Sequence, residues 1–174
     1  MTGTINIIPL GAVMLFLYAA WSDFQCWRIP NGVVLALVAI YVLGAIARLA
    51  TTPDIGATLL SLDGIGGEVA AGLLLFTLGV ALWAFRVFGA GDAKLFLPIG
   101  LFVGWHGMLA FALFLLLGGV LTMLALKLRM PLALAHYAVI MRIEEIRASR
   151  KIPYGVIMVF AALITMVLRS RHAS

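Results

Sequence analysis

Two aspartates in this chain stand where charge is costly. Asp23 follows an apolar run in "WSDFQCWRIPNG", and Asp92 precedes another in "VFGAGDAKLFLPIG". Two carboxylates brought close do not both ionise easily, because mutual repulsion in a low dielectric leaves the pair holding one proton. One carboxylate can then take a proton from water while the other protonates the carbonyl oxygen of a peptide bond. That is aspartic-protease chemistry, and it needs neither metal nor cofactor. Such a pair titrates as a unit, so acid and base are not assigned residue by residue. The remaining reactive side chains offer less. Cys26 is the single cysteine, which excludes a disulfide within the chain and a Cys-rich zinc site. As a nucleophile it lacks a nearby base. His106, His136 and His172 have no evident convergent partners for a metal. No serine stands in register with a histidine and an acid.

The elements that must position these aspartates are set by composition. Hydrophobic residues make up 64% of the 174 and charged residues 11%, where a soluble domain has about 25% charged. Apolar runs approaching the roughly 20 residues that cross a bilayer recur along the sequence. The chain therefore reads as all-α and polytopic, a single membrane-embedded domain over residues 1–174. The start, "MTGTINIIPL", lacks the basic region of a cleaved signal peptide and reads as the beginning of a retained span. The net charge of +5 sits mostly in loops between apolar runs. This points to lipid headgroups as the partner and not to nucleic acid, since no basic-and-aromatic alternation is present.

Six spans are predicted, at 5–21, 32–50, 66–88, 93–105, 108–126 and 153–168. The fourth is short, and "GWHG" at 104–107 supplies the turn that splits the apolar stretch 95–126 into a hairpin. Charge supports the split. With six spans and the N-terminus outside, nine basic residues fall on the cytoplasmic side (Arg28, Arg86, Lys94 and six in the fifth loop) and three, Arg48, Arg169 and Arg171, outside. Without the hairpin the richest basic loop falls on the wrong side. Both termini are then outside, and parity puts Asp23 and Asp92 at the same, cytoplasmic end. Glu68 sits at the outer start of the third span, with Asp54 and Asp63 in the loop before it.

The fifth loop, 127–151, carries Val139, Ile140, Ile143 and Ile146 on one helical face, with Arg142 near Glu145 and Glu144 near Arg147 on the other. It is predicted to be an amphipathic helix along the inner headgroups. Gly89 and Gly91 leave room for a close backbone approach before Asp92. The bland alternatives are that Asp92 caps the fourth helix and that Asp23 faces water at a span end. Lys94 reads as a snorkelling anchor or a charge partner of Asp92, and Pro30 and Asn31 as the entry to the second span.

These residues resemble the type IV prepilin peptidases. Asp23 followed by Ile29, Pro30 and Asn31 is similar to that family's first motif, and Gly89, Gly91, Asp92 and Lys94 to its second, Gly-x-Gly-Asp-x-Lys. "KIPYGV" resembles a third, weaker signature. The resemblance implies a bacterial inner-membrane aspartic endopeptidase that cuts the basic leader from prepilin-like precursors at the cytoplasmic face, with Asp23 and Asp92 as the catalytic pair. The small size is most similar to the branch serving Flp-type, tight-adherence pili. Larger members carry a loop with paired Cys-x-x-Cys motifs and N-methylate the mature pilin. Here the first loop is about ten residues with one cysteine, which argues against methyltransfer and zinc. Two other classes compete: a small proton- or ion-coupled transporter, since intramembrane acids mark such pathways, and a structural subunit of a secretion assembly.

Overall fold

A computed structural model describes residues 7–127 and 153–172. The predicted amphipathic helix, the first residues of the first span and the "KI" of "KIPYGV" lie outside the described residues. Those described form helices and turns without a strand: α1 (Ile7–Cys26), α2 (Asn31–Thr51), α3 (Ile55–Leu60), α4 (Ile65–Ala84), α5 (Ala90–Val103), α6 (Met108–Lys127) and α7 (Tyr154–His172). In lipid every backbone N–H and C=O must find its partner within the chain, and a helix achieves that locally. Asn31–Thr51, Ile55–Ala84, Met108–Ala125 and Tyr154–Arg171 are long and apolar enough to cross a bilayer; within α1, Leu10–Cys26 is a shorter apolar stretch. The chain is a multi-pass membrane protein.

The differences from expectation lie at the ends. α1 runs on to Cys26, so Asp23 is inside its last turn rather than beyond it. α4 stops at Ala84, earlier than the predicted 88, because Arg86 turns left-handed (φ 60°). Its N–H then donates to the Trp83 carbonyl and that of Val87 to the Leu82 carbonyl, closing the helix with a Schellman motif. α3 was not anticipated. Asp54 starts it by accepting from the Ala57 N–H at 3.0 Å, the usual work of an N-cap aspartate.

The predicted hairpin is present. α5 ends at Val103, Gly104 takes φ 70°, and α6 begins at Met108. α5 is 14 residues long, about 21 Å at 1.5 Å per residue. It lies against α4 with backbone nearly touching backbone: a Cβ at Gly100 would stand 2.5 Å from the Gly72 Cα and 2.6 Å from the Ala71 carbonyl oxygen. Small residues at such a crossing let helices approach closely where no hydrophobic effect drives them together. This packing fixes α5, and with it Asp92. The main core gathers Phe16, Leu37, Phe96, Phe111 and Met158 from α1, α2, α5, α6 and α7. α6 turns Leu109, Leu116 and Leu124 outward, as suits a helix with lipid beside it.

One polar cluster stands apart from this apolar packing. Glu68, in the first turn of α4, is buried at 5% exposure. It accepts hydrogen bonds from the Tyr41 hydroxyl (2.8 Å) and from the Arg48 guanidinium, and Arg169 of α7 reaches it at 3.5 Å. Arg169 also donates to the Val103 carbonyl at 3.2 Å. The cluster therefore ties α2, α4, the end of α5 and the end of α7 together.

Candidate active site

Helix direction brings five chain segments to the opposite end of the bundle: the last turn of α1, the start of α2, the turn after α4, and the starts of α5 and α7. Each supplies part of one site. α1 closes with Trp27 in the left-handed region (φ 55°), its N–H donating to the Asp23 carbonyl at 2.9 Å. A non-glycine residue pays strain there, and the turn is held from outside by the Ser22 hydroxyl donating to the Arg28 carbonyl at 2.8 Å. This sharp reversal lays Ile29 beside Gly91, where an added Cβ would find Ile29 atoms at 3.6 Å.

Asp23 is buried, at 6% exposure, so it does not face water at a span end. Asp92 is partly buried, in the first turn of α5. It is not the N-cap residue; Gly89 holds that place, and its N–H donates to Asp92 Oδ2 at 3.2 Å. That bond satisfies one orphan donor of the helix start, leaving the rest of the carboxylate for the cavity. Asp92 lies within electrostatic reach of the Asp23 carboxylate. Both aspartates line one open cavity of about 690 Å³, together with Gly89, Gly91, Asn31 and Lys94.

The sequence-predicted residues thus come together. Pro30 is the N-cap of α2 and Asn31 its first residue. Lys94, expected as a membrane anchor or a partner of Asp92, donates instead to Asn31 Oδ1 at 3.0 Å. It joins the start of α5 to the start of α2 across the cavity. The bond is exposed, so its net worth is about 0.5–1 kcal/mol. Lys94→Met and Asn31→Ala are each expected to lower the thermal midpoint slightly, and the double variant no further than the worse single, because both remove the same bond. A double-variant loss equal to the sum would show that the two side chains act separately.

Cys26 also lines the cavity and is exposed. Among the described residues no three His, Cys, Asp or Glu side chains gather as a metal would require. His106 lies at the far end, where its Nδ1 is 3.1 Å from Asp63 Oδ1. Two features escaped the sequence reading. The Glu68 cluster was visible only as isolated polar residues on apolar spans. Gly155, in the first turn of α7, packs directly on Asp23; its only signal was its place in "KIPYGV".

No curated protein and no solved structure matches this chain. The sequence model of the type IV leader peptidase family matches residues 10–168. That match begins within α1 and ends within α7, taking in both aspartates and every helix between them, and the chain belongs to the type IV leader peptidase family.

Proposed function

We propose that the protein cleaves the leader from prepilin-like precursors, of the Flp type, with Asp23 and Asp92 as its catalytic pair. The family makes the chain a protease of aspartic type with a prepilin-like peptide substrate. The observation that carries the finer reading is the shared cavity: both carboxylates open on it, close enough for their charges to interact.

The chemistry follows from one proton held between two carboxylates. The ionised carboxylate removes a proton from water as the water oxygen attacks the scissile carbonyl carbon, and the protonated one delivers its proton to the carbonyl oxygen. Collapse of the resulting gem-diol breaks the C–N bond. The amine leaves with a proton returned by the pair, and the water oxygen stays on the new carboxyl end of the leader. The pair keeps its single negative charge and the substrate stays neutral through the gem-diol, so no new charge is created in a site walled by apolar helices.

The site is proposed to face the cytoplasm at the inner membrane, in a six-span bundle with both termini outside and the whole chain as one domain. Basic-residue bias supports that orientation. The length of α5 supports the depth of Asp92. A helix of 14 residues falls roughly 9 Å short of a 30 Å hydrocarbon layer. With its far end at the outer interface, Asp92 stands below the inner headgroups, where the junction between a basic leader and an apolar substrate helix lies. A transporter is less well supported: the carboxylates of the described helices lie in end turns, Asp23 and Asp92 at one end and Glu68 at the other.

The test is to mix membranes holding this chain with a precursor that joins a short basic leader to an apolar helix. The expected result is a product cut at that junction, with the leader released. A precursor left intact by well-expressed protein contradicts the function.

A further inference from the structure

The first turn of α7 meets the candidate active site at Gly155. A Cβ added at Gly155 would stand 2.7 Å from Asp23 Oδ2, 2.9 Å from its Cγ and 3.1 Å from its Cβ. Gly155 and Asp23 are both buried. We propose that Gly155 is a positioning residue: its missing side chain lets the N-terminal turn of α7 close on the Asp23 carboxylate and fixes where that carboxylate stands in the cavity.

The constraint is steric first. A clash at 2.7 Å must be relieved by movement, and cheap relief needs a long flexible side chain. Asp23 is short, and on a helix its χ1 rotamers are few. α7 is not free to withdraw either. Tyr154 packs edge-on against Phe88 at 4.7 Å between ring centroids, and Met158 and Val159 are fully buried. A methyl group at 155 therefore moves the carboxylate. Electrostatics agrees with the placement, because the N-terminal end of a helix favours negative charge beside it, and Gly155 is the second residue of α7. The contact is made with Asp23, so the two members of the pair have different surroundings. This also gives the "PYG" of the third sequence signature a physical task that the two aspartate motifs do not cover.

The inference rests on the proposed peptidase reading for its catalytic meaning, but the contact itself can be tested without it. Full-length protein is reconstituted as wild type, Gly155→Ala, and Gly119→Ala as a control, since a methyl at 119 meets nothing within 4 Å. Initial rates are measured against the concentration of the leader-bearing precursor. Gly155→Ala is expected to lower kcat by about 10–100-fold, the order that small misplacements of a reacting group cause. KM is expected to stay within about twofold, because the substrate-lining turns are untouched. Gly119→Ala is expected to match wild type. Unchanged kcat in Gly155→Ala overturns the proposal, and so does a rise in KM alone.

A merely structural role is separated by a melting cycle. Gly155→Ala is expected to lower the thermal midpoint in the wild-type chain and to have little effect beside Asp23→Gly, which removes all three clashing atoms; the helix cost of that glycine cancels in the cycle. Equal losses in both backgrounds overturn the contact. No processing by wild type would refute the peptidase reading and the catalytic role of Gly155 with it, while the melting cycle would still decide whether position 155 acts through Asp23.

Discussion

Asp92→Asn is expected to cut precursor processing by at least about 10³-fold while leaving the protein folded, and Asp23→Asn is expected to do the same. An amide neither yields nor accepts a proton at these pH values, so the substitution removes proton transfer and little else. The fold has reason to tolerate it. Asp92 accepts a backbone hydrogen bond from the Gly89 N–H at 3.2 Å, and the amide oxygen of Asn can accept that bond in its place. If Asp92 only closed the start of α5, Asn would serve nearly as well, and processing would persist. The two losses are not expected to multiply. Groups that act on one proton fail together, so the double Asn variant should process no more slowly than either single. The checks are the initial rate of leader release and the thermal midpoint of the same preparation.

The second large effect is on stability and comes from the other end of the bundle. Glu68→Ala is expected to destabilise the protein by about 3 kcal/mol, the range for removing one partner of a buried ion pair. The Tyr41 hydroxyl and two guanidiniums converge on this carboxylate. Glu68 is 7% exposed in its side chain, while Arg48 and Arg169 are 44% and 39% exposed. The arginines can turn part of their charge to water or headgroups, which holds the cost near the lower end of that range. Tyr41, itself buried, loses its acceptor outright. Glu68→Gln keeps an acceptor oxygen and should cost less than Ala. Since the cluster holds α2, α4, α5 and α7, the loss should appear as a lower melting midpoint. Equal midpoints for Glu68→Ala and wild type would show that the cluster does not brace these helices.

The helical class and the hairpin at 104–107 were legible because both are read from coarse signals. Lipid demands long apolar helices, and "GWHG" breaks the apolar stretch 95–126. That Asp23 and Asp92 stand at one end of the bundle followed from parity, since two spans lie between them; that they share a cavity did not. Exposure was harder. Asp23 looked like a residue just past a span, yet α1 continues for another turn and buries it. Where a helix stops depends on which residue accepts left-handed geometry, and here it is Trp27, not a glycine. The bond from Lys94 to Asn31 crosses the cavity to another helix, so neither motif alone announces it. The Glu68 cluster and the Gly155 contact are long-range pairings of the same kind. Spacing along one helix carries no record of them; they arise only when α4 is set against α2 and α7, and α7 against α1.

The proposed role of Asp23 and Asp92 is to supply together the proton transfers of leader cleavage. It is tested most directly by purified chain in proteoliposomes, with a metal chelator present and a leader-bearing precursor added, the products being weighed by mass spectrometry. The expected product is a released leader carrying one added water, formed by wild type and absent from Asp23→Asn and Asp92→Asn alike. Leader release at the wild-type rate by either folded Asn variant would contradict it.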